Sequence, residues 1–244
     1  MSTNWDEGFE LWRRSFLKKQ GDDEDFRGLS KQWMQSSVNH KYSYQFDWLG
    51  VPIIQMPSDL LIFQDLIWKT KPDLIIETGV ARGGSLIFWA SMQKLCGVEG
   101  KVLGIDIDIR QHARAAIYGS SFKDQIELIE GGSTEQFVVD QVLEFSKRFE
   151  NIMVVLDSNH THEHVLKELN LYANLVSKDS ILLVLDTAID ELEPDPERSW
   201  GPGASPMSAV LEYMNGNESQ FKNLSDIENR SMLSVAPKGI WLKM

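Results

Sequence analysis

The segment Asp73 to Ser85, DLIIETGVARGGS, constrains this chain more than any other. Leu74, Ile75 and Ile76 form the short apolar run that a parallel strand covered on both faces requires, and Lys71-Pro72 halts whatever precedes it. Gly79, Gly83 and Gly84 then lie close together, where the backbone takes φ > 0 or approaches a ligand that a Cβ would block. Ser85 to Gln93 has helical composition, so the free N–H groups of its first turn point back at the glycines. Strand, glycine turn and helix in that order are the layout of a nucleotide-cofactor pocket, and a tight strand-to-helix turn with no ligand reads the same way.

The spacing separates two cofactors. A dinucleotide fold asks for G-x-G-x-x-G, whereas here Val80, Ala81 and Arg82 stand between Gly79 and Gly83. Glu77, at the strand's end, would repel a diphosphate and suits a ligand with positive charge, such as the amino group of S-adenosylmethionine. With 244 residues, 42% of them hydrophobic, the chain can bury a full core as one α/β domain with an N-terminal extension. Its 24 basic against 36 acidic side chains, a net charge of −12, offer no basic surface for a nucleic acid. Cys96 is the only cysteine, which excludes an intrachain disulfide and a thiolate metal cluster and favours a reducing compartment. Met1 to Gln20 is charged rather than signal-like, and no apolar run reaches the roughly 20 residues of a membrane span. The expectation is a cytoplasmic protein that works on neither membrane nor nucleic acid.

Along the chain, Asn4 to Lys19 spaces Trp5, Phe9, Trp12, Phe16 and Leu17 as an amphipathic helix ahead of the acidic break at 21–25. Its aromatic stripe packs on the body or on a second subunit, and we expect a homo-oligomer. Residues 30–57 show no clear period and read as an irregular arm with a short helix at Lys31–Ser36. Residues 1–57 are thus expected to form a helix and arm that cover substrate or mediate oligomerisation, and residues 58–244 the cofactor-binding domain. Ser58 to Thr70 is a helix with Ser58 as its cap.

Strands are then predicted at Leu74–Glu77, Lys101–Asp106, Ile126–Glu130, Ile152–Asp157 and Ile181–Asp186, and helices at Ser85–Leu95, Arg110–Tyr118, Thr134–Arg148 and His162–Leu175. This alternation is the pattern of a Rossmann-like, doubly wound, mostly parallel sheet. A long polar loop follows Asp186, then a helix at Met207–Met214 and a C-terminal antiparallel hairpin turning at Pro237-Lys238-Gly239.

Ligands of open α/β sheets bind outside the carboxyl ends of the strands. The second strand delivers Asp106, placed to accept both hydroxyls of a ribose or to cap the next helix, a role for which Asp108 is better placed. The third runs into Gly131-Gly132-Ser133, where small residues let an adenine lie flat; Ser133 can bond its edge or cap the helix behind it. The fourth brings Asp157, Asn159, His160 and His162 to the mouth, and the fifth Asp186. Two carboxylates at adjacent strand ends, with an amide and water, suit Mg²⁺ better than Zn²⁺. Such an ion can lower the pKa of a substrate hydroxyl, with His160 as candidate general base. His162 and His164 read as surface residues of the following helix.

The motifs WLGVPIIQMPSDLLIFQDLI, PDLIIETGVARGGSLIFWASM, VLGIDIDIR, VLDSNHTHEHVLKEL, WGPGASPMSAVLEYM and PKGIWLKM, in this order from Trp48 onward, resemble the cephalosporin hydroxylase family. That family is built like an S-adenosylmethionine-dependent methyltransferase. The resemblance implies methyl transfer to a hydroxyl of a small molecule or sugar, assisted by a divalent metal, rather than hydroxylation. It places Glu77, Gly79, Gly83 and Ser85, with Ala81 in the same turn, around the methionine portion of the cofactor. Asp106 would serve the ribose, Ser133 the adenine, and Asp157 and Asp186 the metal. The family pattern Asp-Ser-Asp-His reads Asp157-Ser158-Asn159-His160 here, and Glu-Asp-Thr reads Leu185-Asp186-Thr187, so two acidic positions are altered.

Two other readings compete with methyl transfer. A nicotinamide-dependent oxidoreductase would need the G-x-G-x-x-G that Gly79 to Gly84 lacks, and a catalytically silent cofactor-binding protein would be consistent with Leu185 and Asn159. The acceptor is not written in any motif; Trp33, Tyr42, Tyr44, Trp48 and Trp200 suit stacking on a sugar or ring and suit packing equally.

Overall fold

The computed structural model describes residues 6–196 and 198–244, so the expectation for Trp5 lies outside the described residues. Two helices open the chain. Helix α1, Glu7–Asp22, is capped by Asp6, whose side chain accepts from the Gly8 amide at 2.9 Å, and α2, Glu24–Asn39, is capped by Asp23, which accepts from Phe26 N at 2.9 Å. The acidic break thus shrinks to the single residue Asp23, because an aspartate at an N-cap starts a new helix as readily as it ends an old one.

The arm that follows is also more regular than its composition suggests. A short 3₁₀ turn, Tyr42–Gln45, leads into strands β1, Phe46–Trp48, and β2, Val51–Ile53, paired antiparallel through Leu49 (φ 50°) and Gly50 (φ 81°). Two left-handed residues in succession make the tight turn whose twist matches a hairpin. Helix α3, Pro57–Thr70, starts with Pro57 in its first turn and Met56 at the cap position; the Ser58 hydroxyl instead donates to the carbonyl of Leu233.

From Leu74 the chain alternates strand and helix: β3 (Leu74–Thr78), α4 (Gly84–Leu95), β4 (Lys101–Asp106), α5 (Gln111–Gly119), β5 (Ile126–Glu130), α6 (Gln136–Ser146), β6 (Ile152–Leu156), α7 (His162–Tyr172) and β7 (Ile181–Val184). The chain closes with α8 (Pro206–Met214), β8 (Phe221–Asn223), α9 (Ser225–Ser231) and β9 (Ile240–Lys243). Seven strands form one sheet in the order β5-β4-β3-β6-β7-β9-β8, parallel except where β9 runs antiparallel to both its neighbours. The C-terminal antiparallel pair is present, but α9 and a loop connect β8 to β9, and Pro237-Lys238-Gly239 leads into the last strand instead of forming a tight hairpin.

Alternation along the strands sorts the core into two layers. Ile75, Met153, Val155, Leu183 and Leu185 face α3, α4 and α5, whereas Leu74, Ile76, Val154, Leu182 and Val184 face α6, α7 and α8. The β1–β2 hairpin joins the first layer: Trp48 stacks edge-on against Phe88 at 4.9 Å, and its indole N–H donates to Ser91 Oγ at 3.0 Å. Gly84 is what permits this approach, since a Cβ there would lie 2.2 Å from the carbonyl oxygen of Pro52. Winding reverses at β3, which pairs with β4 on one side and β6 on the other, so a crevice opens at the carboxyl ends of β3 and β6.

The packing also buries carboxylates. Asp59 on α3 accepts from Ser231 Oγ and from Val235 N (2.8 Å), fastening the segment before β9, and Glu77 on β3 accepts from Ser85 Oγ (2.8 Å) and Trp89 Nε1 (2.9 Å). Burial outweighs these bonds and raises Asp59 to about 6 and Glu77 to about 7. Both groups therefore hold their protons more tightly folded than unfolded, so the stability they contribute is fully present below the ordinary carboxylate range and is lost as pH rises toward 7. At about 1.4 kcal/mol per pH unit of displacement, each contributes roughly 3 kcal/mol of this loss. In EDTA and without added ligand, urea titrations should give a higher unfolding free energy at pH 5 than at pH 8; stability rising over that interval would contradict the assignment.

Candidate functional site

The site begins with the turn that ends β3. Gly79 sits at φ 94°, and a Cβ there would stand 2.1 Å from the main-chain oxygen of Asp157, so only glycine lets β3 and β6 end this close together. Ala81 (φ 46°) and Gly83 (φ 87°) are also left-handed, and Gly83 is the N-cap of α4. Asp106 clamps the turn from β4: its Oδ2 accepts from Val80 N at 2.8 Å and Ala81 N at 3.2 Å, while Oδ1 accepts from Asp108 N at 3.1 Å. Asp106 is thus a brace for the glycine turn, and the N-cap of α5 is Arg110 rather than Asp108.

A cavity of about 660 Å³ lies above these strand ends, a size that accommodates a nucleoside cofactor with a small partner beside it. Gly79, Ala81, Asp106, Ser133, Asp157, His160 and Asp186 line it, so residues from five separate strand-end segments meet in one space. Glu77, Gly83 and Ser85 do not line it; the fully buried Glu77 is bonded to Ser85 behind the turn. The roof comes from the arm, through Tyr44, Gln55 and Met56, and from the segment after β7, through Ile189, Arg198 and Trp200. That segment is pinned by Asp190, whose Oδ1 accepts from Gly203 N (2.8 Å) and Ser205 Oγ (2.6 Å).

Asp157, His160 and Asp186 converge at the cavity floor, each offering one ligand atom, and these atoms all lie within 4.8 Å of one another. His160 Nε2 is 3.2 Å from Asp186 Oδ2, and Asp186 reaches inward because it adopts a left-handed backbone (φ 55°) directly after β7. Burial, and then the charges of Asp186, Glu77 and Glu168, push the Asp157 carboxyl well above its usual range. Two carboxylates and an imidazole this close, in a field already negative, are stabilised by a divalent cation; oxygen-rich sets of this kind suit Mg²⁺ or Mn²⁺. Leu185, where the family pattern has Glu, continues the core on the α3–α5 face and is 1% exposed, so that position offers no ligand atom here. Asn159 lines the cavity, its side-chain oxygen accepting from Thr161 N at 3.0 Å to shape the loop that carries His160.

The two other histidines of this stretch are half-buried and hydrogen-bonded to neighbouring elements. His162 bridges Ser208 Oγ (2.7 Å) and Glu212 (3.1 Å). His164 Nε2 lies 3.1 Å from Ser133 Oγ, 3.2 Å from Ser158 Oγ and 3.4 Å from Glu168, joining the loops that follow β5 and β6. Ser133 is held in this network and does not cap α6, whose N-cap is Glu135. Gln55 was not foreseen as a site residue; it is 4% exposed, and its Nε2 lies 3.5 Å from Asp157 Oδ2. Nothing local marks it, since it is brought to Asp157 by the arm's packing on α4.

The family model for Rhamnosyl O-methyltransferase/CmcI matches residues 40–244. Rhamnosyl O-methyltransferase of Mycobacterium tuberculosis (strain ATCC 25618 / H37Rv) is 26% identical over 211 residues, covering 84% of this chain and 83% of the relative. The rhamnosyl O-methyltransferase of Mycobacterium leprae (strain TN) is 29% identical over 167 residues, covering 68% and 69%. Among solved structures, CmcI with Mg and SAM superposes with a TM-score of 0.63 at 19% identity, covering 82% of this chain and 77% of that one. A candidate caffeoyl-CoA O-methyltransferase from Staphylococcus aureus gives 0.52 at 18% identity, covering 97% and 100%. These structures share the sheet and its winding. With a glycine turn, a bracing Asp106 and a carboxylate–histidine cluster at the switch point of that sheet, the chain belongs to the Rhamnosyl O-methyltransferase/CmcI family.

Proposed function

We propose that the protein is an S-adenosylmethionine-dependent O-methyltransferase, assisted by a divalent cation, that methylates a hydroxyl of a sugar or sugar-bearing small molecule. The observation that carries this reading is the convergence of Asp157, His160 and Asp186 beside the Gly79 turn in one cavity. Membership in the family supports methyl transfer, the CmcI complex with Mg and SAM supports the two cofactors, and the relatives named for rhamnosyl transfer of methyl support a sugar acceptor. A nicotinamide cofactor is disfavoured by the absence of G-x-G-x-x-G, and a silent binding protein by the convergence of Asp157, His160 and Asp186 within reach of one cation.

In this reading Gly79 and Ala81 leave room for the methionine portion, with Glu77, Gly83 and Ser85 shaping the turn from behind. Asp106 and Ser133 are assigned to the ribose and adenine. Asp157 and Asp186 would hold the cation, whose charge would offset theirs and lower the pKa of an acceptor hydroxyl. His160 is assigned as the proton acceptor. Its Nε2 lies 3.2 Å from Asp186 Oδ2, so that a proton donated there would leave Nδ1 as the accepting nitrogen, and a Mg²⁺ ion would be held by the carboxylate oxygens. As the acceptor oxygen forms its bond to the methyl carbon, the carbon–sulfur bond breaks and the hydroxyl proton passes to His160, leaving a methyl ether and S-adenosylhomocysteine. Such a displacement depends on alignment and on exclusion of water, roles that fall to the roof formed by the arm and the segment after β7.

We assign residues 1–57 to substrate cover and self-association and 58–244 to catalysis. Phe9, Trp12 and Phe16 of α1 are about half exposed, supporting burial against a second copy. No described helix is long and apolar enough to cross a membrane, and we place the protein in the cytoplasm.

With methyl α-L-rhamnopyranoside as acceptor, turnover followed by mass spectrometry should add one methyl group and should fall on addition of EDTA. His160→Asn should lower kcat about 10²- to 10⁴-fold while changing Mg²⁺ affinity less than about threefold. A tenfold loss of Mg²⁺ affinity would make His160 a ligand instead. Sedimentation should give an oligomer that dissociates when Met1–Gly21 is deleted; a monomer unchanged by the deletion would contradict the role of α1.

A further inference from the structure

One side of α7 is polar although it faces inward. His164, Glu168 and Tyr172 recur every four residues and so share one side of the helix, and Glu168 and Tyr172 are fully buried. A buried carboxyl group is costly unless its hydrogen bonds compensate, and Glu168 has few. Its Oε1 accepts from Ser158 Oγ at 2.7 Å and lies 3.4 Å from His164 Nε2, while its Oε2 has no partner. Both contacts of this carboxyl group go to one junction, at the amino end of α7.

That junction ties together two loops that the sheet leaves independent. His164 Nε2 lies 3.1 Å from Ser133 Oγ, in the loop after β5, and 3.2 Å from Ser158 Oγ, in the loop after β6. In the sheet, β4 and β3 stand between β5 and β6, so no ladder bond fixes one loop against the other. Tyr172 adds a second tie from the same side of α7, its hydroxyl donating to the main-chain oxygen of Ser133. The Ser158 hydroxyl commits its proton to Glu168 and bonds the imidazole only as an acceptor, which assigns a proton to His164 Nε2 among its three oxygen neighbours. Ser133 lines the cavity and Ser158 directly follows Asp157, so a shift at the junction moves both walls of the site.

We propose that His164 is a positioning residue for both ligands: anchored by Glu168, it fixes the Ser133 loop and the Asp157 loop in one arrangement. This rests on the methyl-transfer reading, in which Ser133 serves the donor and Asp157 the cation, and adds to it the group that sets the two half-sites relative to each other. Groups that orient a ligating loop from behind govern affinity without touching the ligand.

The test compares two amides of different reach at position 164 in the full-length protein. His164→Gln carries an N–H as far as Nε2, whereas His164→Asn stops at the distance of Nδ1 and falls short of the three oxygens. Two dissociation constants are measured separately: S-adenosylmethionine by calorimetry in EDTA, and Mn²⁺ by electron paramagnetic resonance with no donor present. His164→Asn should raise both about tenfold, and His164→Gln should leave both within about threefold of the wild type. Unchanged constants in His164→Asn, or equal losses in the two variants, would overturn this inference alone. A loss confined to S-adenosylmethionine would also overturn it, making His164 a direct contact of the donor. Wild-type protein that binds neither ligand would overturn the methyl-transfer reading and this inference with it.

Discussion

The contact between Gly79 and the main-chain oxygen of Asp157 sets the geometry of everything above the sheet. A Cβ at residue 79 would stand 2.1 Å from that oxygen, so the ends of β3 and β6 meet only because the side chain is absent. That approach brings the cofactor turn and the loop bearing Asp157 and His160 to one point of the crevice. Asp106 then fixes the turn by accepting from two successive amides, and the left-handed backbone of Asp186 aims its carboxylate at the same place. A parallel sheet places its crevice at the reversal of winding by topology alone. What this chain adds is a separation small enough for groups from adjacent strand ends to act on the same atoms.

Closeness has an electrostatic consequence. Glu77, Asp157, Asp186 and Glu168 crowd one region, and the first two carboxyls are held above their ordinary range, by burial first and, for Asp157, also by the neighbouring charges. The arrangement is costly in the empty protein and favourable once positive charge enters, whether from a divalent cation or from the sulfonium and ammonium of the donor. The same region therefore lowers stability at neutral pH and raises affinity for the ligands that chemistry requires. Strain of this kind is expected where binding has displaced stability as the constraint on sequence.

Much of this was legible in the residues. The runs LIIET, VLGID and IMVVL are continuous and apolar because their strands are covered on both faces, and the structure places these strands where the pattern puts them. Seven of the ten residues singled out for the site share one cavity, since each stands at the end of such a run. The remaining details depended on tertiary placement. Strands of three residues, such as β1 and β2, carry too few positions for a period to be seen, and a single Asp23 both ends and starts a helix. Glu77, Gly83 and Ser85 lie behind the cavity wall because the turn folds over them, which spacing does not reveal. Leu185 packs in the core beside the left-handed Asp186, a backbone turn that composition does not reveal. Gln55 has no local signal because a hairpin distant from β6 in the chain delivers it.

Calorimetric titration of S-adenosylmethionine into the Mg²⁺-loaded protein, alongside Gly79→Ala and Asp106→Ala, tests most directly whether the turn at the β3–β6 crevice is the donor site. One molecule should bind per chain to the wild type, with affinity lowered at least about tenfold by Asp106→Ala and abolished by Gly79→Ala. No heat of binding with the wild type, or affinity unchanged by both substitutions, would contradict the assignment.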